Sequence, residues 1–324
     1  MQRYQVTRNN PRDRSEFRNL SGVLSITLKT LSTKYGDKTD SYLHVGSGAE
    51  QLQTSPNLAV IAKEINNLGL GRLAKTRWRE IVGAGEYMAM PVVGGKPVIP
   101  GSSVKGNVRA RMELSFIPKE GRVRSCLSVG GGMPSFGRHG KIWSKGLEYD
   151  RDFKCPPRGR FMVCLMCDIF GTKGLASLLE FSDFVGERVS LQPVSDGYGM
   201  KLMAAPPGSA FTGEISFRNL SESELGLVLF RGLAIGDDGV GKPVLLGRLK
   251  YRGKLGGKVF GRVKYQLNSL KLSTLSQPLP TLKPGETASG AKLQTVVKTL
   301  VDSAKSEFSG EYYLTDEVQP LGMA

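Results

Sequence analysis

Apolar and polar side chains alternate strictly through GVLSITLKT, with Leu24, Ile26 and Leu28 on one side and Ser25, Thr27 and Lys29 on the other. A period of two predicts a half-buried strand. In SPNLAVIAKEINNLGLG the period changes: Leu58, Ile61, Ala62, Ile65 and Leu68 fall at helical spacing behind a Ser55-Pro56 start, and a second helical stretch runs over 73–81. GAGEYMAM then opens a turn and strand. PVIP ends at a Gly-Ser-Ser turn, after which Val104, Val108 and Met112 recur every four residues, predicting a helix from near Ser102. LLEFSDF, RVSLQPV and TGEISF read as strands, and ESELGLVLFRGLA as a helix introduced by the capping-box pair Ser221 and Glu224. Strand, helix, strands, helix, strand is the order of a ferredoxin-like α+β unit. Beyond it, SQPLPTLKPGE forms a linker and AKLQTVVKTLVDSAKSEF an amphipathic helix.

Hydrophobic residues make up 40% of the 324 positions, enough for a packed core and too many for a disordered polycation. No apolar run reaches the ~18–20 residues of a membrane helix, and the start MQRYQVTRNNPRDR lacks the apolar centre of a secretory signal, so a soluble, intracellular chain is expected. Against 29 acids stand 45 Lys and Arg, a formal charge of +16. A surplus of that size favours a polyanionic partner such as nucleic acid. The acids Glu307, Glu311, Asp316 and Glu317 gather near the end, leaving the middle of the chain more basic than the average.

Two segments carry that charge in a form suited to phosphate. The helix opening at Ser102 brings unpaired N–H groups, the hydroxyls of Ser102 and Ser103, and Lys105 together, with Arg109 one turn on from Lys105. LGRLKYRGKLGGKVFGRVKY, 246–265, holds Arg248, Lys250, Arg252, Lys254, Lys258, Arg262 and Lys264 without an acid. Its glycines, among them Gly256 and Gly257, let a backbone approach a ligand, and Tyr251, Phe260 and Tyr265 offer faces for base stacking. A solvated, charged hairpin is the plainer alternative.

Cys164-Leu165-Met166-Cys167 has the spacing that brings two thiolates to one tetrahedral ion, and Cys155 and His139 precede it. A Cys3His zinc site of His139, Cys155, Cys164 and Cys167 would staple the irregular stretch 121–160 to the core. Cys126 is an alternative fourth ligand, and free cysteines in the apolar run FMVCLMC are the competing reading on spacing alone. For catalysis the chain offers little: GxSxG, a Walker loop and HExxH are absent. His44 is a candidate base, and Glu86, in GAGEY, a candidate metal-binding carboxylate.

In chain order, GVLSITLKT with LHVGSG, PVIPGSSVKGNVRARME, CLMCDIFG followed by ASLLEFSDF, GSAFTGEISF and the glycine-rich 246–265 segment together resemble the RAMP superfamily. They are most similar to the backbone subunits of type III CRISPR effector complexes of the Csm and Cmr kinds. The likeness covers roughly residues 20 to 270 and is specific in the combination of IPGSSVKG with the C-x-x-C-x-x-FG box.

The resemblance implies a modified ferredoxin-like (RRM-like) α+β core over 1–274 with large insertions: a helical one at about 51–82, a zinc-stapled excursion at about 121–170 and a thumb-like hairpin at about 189–205, where Met200 to Met203 would press on a base. A linker and helix at 275–324 follow. It implies CRISPR RNA and target RNA as partners, along with other Cas subunits of an antiviral type III complex, self-association into a filament, and a cytoplasmic location without membrane contact. By position, Ser102, Ser103, Lys105 and Arg109 would face guide-RNA phosphates, with Arg252, Lys254, Gly256, Gly257, Lys258 and Arg262 covering the same groove. His139, Cys155, Cys164 and Cys167 match the order of a zinc site in some such subunits. Active members carry an Asp in the loop upstream of IPGSS, working with a divalent metal such as Mg. That loop here reads GAGEYMAM, and Glu86 is its only carboxylate. The extra bond of glutamate displaces the group, and catalysis is sensitive to ~1 Å. An RNA-binding subunit without nuclease activity is therefore expected, the alternatives being a metal-dependent endoribonuclease using Glu86 or a metal-independent guide-processing one using His44.

Overall fold

The computed structural model describes residues 4–46, 51–53, 66, 86–130, 137–148, 151, 155, 162–195, 201–252 and 254–319. At its centre is β1 (Leu20–Thr30), in which the expected alternation puts Leu24, Ile26 and Leu28 wholly out of solvent. In chain order there follow α1 (Gly101–Ser115), β2 (Leu179–Phe181), β3 (Phe184–Val185), β4 (Ala210–Leu220), α2 (Glu222–Leu227) and β5 (Arg262–Leu272). β1 lies between β5 and β4, antiparallel to both, with Ile26 opposite Leu267 on one side and Gly213 on the other. β2 and β3 pair antiparallel with the far edge of β4. The order β5-β1-β4-β2/β3, with a helix after β1 and another after β4, is a ferredoxin-like α+β arrangement. Long insertions separate β1 from α1 and α1 from β2.

The helices bury the sheet's apolar face. Val104, Val108 and Met112 of α1 have no exposed surface, as their four-residue spacing predicts. α2 begins with the expected capping box, the Ser221 hydroxyl accepting from Glu224 N–H while the Glu224 carboxylate accepts from Ser221 N–H. It continues into a π-helical turn at Val228–Gly232. The C-terminal helix α3 (Gly290–Glu307) buries Leu293, Val296, Val297, Leu300, Val301 and Ala304 in the same core. The segment after 275 is thus part of the main body.

Two smaller substructures sit at the edge of this core. Gln192–Ser195 and Lys201–Ala204 form the expected antiparallel hairpin. Lys254–Leu255 and Lys258–Val259 form another, closed by Gly256 and Gly257 at φ +53° and +76°. Positive φ at both central residues is what a two-residue hairpin with the strands' natural twist needs, and glycine adopts it without a Cβ clash. The two hairpins share a small core of Val194, Leu202, Ala204, Leu255 and Phe260. Residues 196–200, Met200 among them, lie outside the described residues, as does the expected 51–82 insertion apart from Asn66 and the strand Gln51–Gln53. Among the described residues no helix is long and apolar enough to cross a membrane.

Candidate functional site

α1 ties the chemistry together. Its first N–H, from Gly101, donates to Asp183 Oδ1 at 2.8 Å. A Cβ on Gly101 would lie 2.2 Å from the Phe181 carbonyl oxygen, so only glycine lets the helix start this close to the β2–β3 turn. Ser103 N–H donates to the Pro100 carbonyl. Asp183 already meets the positive end of the helix, which narrows the expected phosphate seat to the exposed Ser102, the half-buried Ser103 and Lys105. Burial, then the nearby Arg109 charge, push the Lys105 ammonium below its ordinary range, with Glu180 opposing.

The start of the glycine-rich ribbon touches α1 through Asn107. Asn107 Nδ2 donates to the Leu245 carbonyl at 2.8 Å, placing the start of the ribbon beside the second turn of α1. Arg248 N–H donates to the His44 carbonyl, and Arg248 itself is exposed, as are Arg252, Lys254, Gly256 and Gly257. Lys258 is half-buried with its Nζ 4.6 Å from the centre of the Tyr42 ring. Sequence reasoning passed over a third contributor, the helix Gly137–Leu147. Its buried side holds His139, Ile142 and Trp143, while Arg138, Lys141 and Lys145 stand in solvent. Arg138 Nη1 donates to the Arg252 carbonyl at 2.7 Å, joining helix and ribbon. The signal was in GRHGKIWSKGL, where cations recur at i, i+3 and i+7 without an acid.

Two expected phosphate ligands are placed elsewhere. Arg109 is 8% exposed. Its Nε donates to Glu113 Oε1 (2.7 Å), its Nη1 to the Gly171 carbonyl (2.7 Å) and its Nη2 to Cys167 Sγ (3.3 Å). Burial opposes its charge, but Glu113 outweighs that and holds the guanidinium above its ordinary range, with Cys167 and Cys126 adding to the effect. Arg262 is 5% exposed at the start of β5, enclosed where Ser41 accepts its backbone N–H.

The four cysteines converge. Sγ atoms of Cys126, Cys155, Cys164 and Cys167, all buried, lie within 4.8 Å of one another. Four thiolates about one zinc at ~2.3 Å stand ~3.8 Å apart, so the donor set and its spacing fit a single tetrahedral ion. Cys164 caps the short helix Leu165–Phe170, its sulfur accepting from Cys167 N–H, and it also accepts from Cys126 N–H. Cys155 Sγ accepts from Cys164 N–H. Hydrogen bonding from Cys126 pulls the Cys155 and Cys167 thiols down, while bonding to Cys155 pushes Cys126 up. His139 is the correction here: Cys126 takes its place, and the His139 ring packs edge-on against Tyr251 at 5.0 Å between centroids.

Of the two residues considered for catalysis, Glu86 begins the strand Glu86–Met88, paired with Gln51–Gln53. His44 is fully buried, with Nδ1 2.7 Å from the Met203 carbonyl and Nε2 without a partner among the described residues. Burial lowers its pKa, so the neutral ring donates from Nδ1. A cleft of about 580 Å³ is lined by Arg12, Arg124, Asp168 and Glu224 and by none of the residues expected to bind phosphate. There Arg12 pairs with Asp168 and Glu224, and Arg124 with Glu307 and Glu311.

No curated protein matches the sequence. Among solved structures, the crystal structure of Thermofilum pendens Csc2 aligns over 96% of this chain and 84% of its own length, at 13% identity and a TM-score of 0.34. A family model for the RAMP superfamily matches residues 38–268, more than two thirds of the chain and the whole stretch from before α1 into β5. With that match running through the ferredoxin-like core, the chain belongs to the RAMP superfamily.

Proposed function

We propose that this protein is a CRISPR RNA-binding backbone subunit of a type III, Csm/Cmr-type, interference complex in the cytoplasm, holding guide phosphates and helping to position target RNA beside other Cas subunits. One observation carries the reading: the helix Gly137–Leu147 and the ribbon are joined through Arg138, and among the described residues Arg138, Lys141, Lys145, Arg248, Arg252 and Lys258 take part in no ion pair with a described acid. Charge left unpaired creates a field that attracts a polyanion. Within it the Ser102 and Ser103 hydroxyls donate to phosphate oxygens, Lys105 and Arg248 neutralise them, and the Gly256-Gly257 turn lets the ribbon close over the strand. Tyr42, beneath Lys258, lies within reach of a base. The hairpin over 192–204 serves as the thumb, and copies of the subunit line up along the guide.

Zinc belongs at Cys126, Cys155, Cys164 and Cys167, where it would neutralise four crowded thiolates and staple the stretch from 126 to 167 to the core. The binding reading is favoured over cleavage because the GAGEYMAM loop has no Asp and because the His44 ring is buried, out of reach of a ribose hydroxyl.

Fluorescence anisotropy with labelled single-stranded RNA over a salt series tests the proposal. Affinity should fall steeply with salt and tolerate changes of sequence. Lys105→Ala and Arg248→Ala should each weaken binding and flatten the log–log slope by about 0.7, the value for one lost phosphate contact on a single strand. Salt-indifferent binding, or two variants that bind like wild type, would overturn it.

A further inference from the structure

We propose that Arg109 is the outer-sphere donor to the metal-bound Cys167 thiolate, and that through it the thiolate centre holds the RNA-facing turns of α1 in place, making RNA grip depend on metal occupancy. The RNA half of this rests on the function proposed above; the metal half stands apart from it.

The guanidinium of Arg109 directs three N–H groups at three acceptors of different kinds: a carboxylate, a backbone carbonyl and a sulfur. A planar fork matches that set, and a lysine ammonium on a flexible stem does not. Four thiolates about a divalent cation carry a net charge of −2, which is costly in a buried site unless a cation lies close by. Arg109 touches the Cys167 sulfur directly. Arg151, the other buried arginine nearby, commits its Nη groups to the carbonyls of Phe116, Ser125, Glu113 and Gly146. Of the neighbouring acids, Asp168 pairs outward with Arg12 and Arg14, whereas Glu113 also accepts from Val129 and Gly130 N–H.

The chain leaving the metal ligands also reaches the start of α1. Cys167 and Gly171 hold Arg109; a few residues later Glu180 faces Lys105, the Phe181 and Ser182 carbonyls press on Gly101, and Asp183 accepts the first helical N–H. One segment, 164–183, therefore brackets the first nine residues of α1 from a metal-anchored end. Binding the ion displaces the remaining thiol protons to solvent and fixes that end. Without the ion the crowded sulfurs repel, the Gly171 turn loosens, and Arg109 loses two of its three acceptors. Ser102 and Lys105, on the turns preceding Arg109, then lose their fixed placement.

The full chain loaded with Co²⁺ reports on the centre by its sulfur-to-metal absorption. Arg109→Met should weaken Co²⁺ binding by roughly 10–100-fold, the usual effect of losing an outer-shell partner, and move the charge-transfer band to lower energy as the thiolate loses its donor. Arg109→Lys should fall between, and Arg151→Met, whose Nη groups bind carbonyls rather than sulfur in wild type, should shift the band less than Arg109→Met. In wild type, removing the metal should weaken single-stranded RNA binding by roughly 5–150-fold, and RNA must then tighten Co²⁺ binding by the same factor. An Arg109→Met band and affinity within twofold of wild type would overturn the assignment, as would an equal band shift in Arg151→Met. RNA affinity unchanged by metal removal would overturn the coupling. If the loaded wild type binds no RNA, the proposed function fails while the cobalt measurements still decide the role of Arg109. Should Arg109→Met not fold, the lysine variant and the wild-type linkage decide between the two outcomes.

Discussion

Lys250 belongs to the cationic ribbon by sequence but not by position, and replacing it with methionine should stabilise the protein. Its ammonium is enclosed with Arg111, Glu317, Trp143 and Tyr251 around it. Burial first, then the Arg111 charge, push its pKa from 10.5 down to about 8, with Glu317 opposing. The shift corresponds to about 3 kcal/mol of differential cost for the charged form. Methionine fills nearly the same volume, and losing the contact between Lys250 Nζ and the Tyr251 ring, 5.2 Å from its centre, returns about 1 kcal/mol. The net gain is about 2 kcal/mol, or ~3 °C in Tm for a chain of this length. The sign follows from proton counting: between about 8 and 10.5 the unfolded chain holds the proton that the folded one has released, so wild-type stability gains with rising pH relative to the variant. The advantage of Lys250→Met should thus be full at pH 7 and fade above pH 8. Burial pushes Tyr251, Tyr265 and Tyr313 up to about 12, which erodes both proteins at high pH, so the difference between them is the quantity to follow. Differential scanning calorimetry across pH 7 to 10.5 measures it, alongside RNA anisotropy, which should not change. A less stable variant at pH 7, a pH-independent difference, or a loss of RNA affinity would each refute the placement.

Three further outcomes are expected. Purified wild type and His139→Ala should each carry one zinc per chain by mass spectrometry under native conditions, whereas Cys126→Ala should lose it, and stripping the metal with a chelator should lower Tm. Glu113→Gln removes the charge that Arg109 and two loop N–H groups share in a wholly buried site, which should cost about 3–5 kcal/mol by denaturant titration. Glu86→Ala in the assembled complex should leave target-RNA cleavage rates where wild type has them, as measured on a labelled transcript.

The fold was legible where one periodicity ran unopposed. Leu24, Ile26 and Leu28 announced β1, Val104, Val108 and Met112 announced α1, and Ser221 with Glu224 announced α2, because each pattern is local and the tertiary structure simply uses it. The thiolate centre was half legible. Spacing found Cys155, Cys164 and Cys167, but the choice between His139 and Cys126 depends on how a long excursion folds back, which no local pattern encodes. His139 went instead to the packing of the Gly137–Leu147 helix on Tyr251.

Arg109 shows most clearly why charge in a sequence misleads about charge on a surface. Helical spacing put it on the face of Lys105, and the first two turns of α1 are indeed partly exposed there; the last two turns are not. From Val108 to Ser115 every side chain is buried, since the Gly137–Leu147 helix and the thiolate knuckle enclose what would otherwise be the outer face. The local hint was Glu113, four residues on, an intrahelical partner that a phosphate ligand would not need. The same logic explains the acidic tail. Glu317 pairs with the buried Arg111, and Glu311 and Glu307 with Arg124, so acids at the end of the chain neutralise arginines from its middle. Far from diluting the basic surface, the tail absorbs cations that face inward or toward the mixed-charge cleft. Among the described residues Arg138, Lys141, Lys145, Arg248, Arg252 and Lys258 keep no acid partner, and on these cations of the ribbon and the Gly137–Leu147 helix the proposed RNA contact rests.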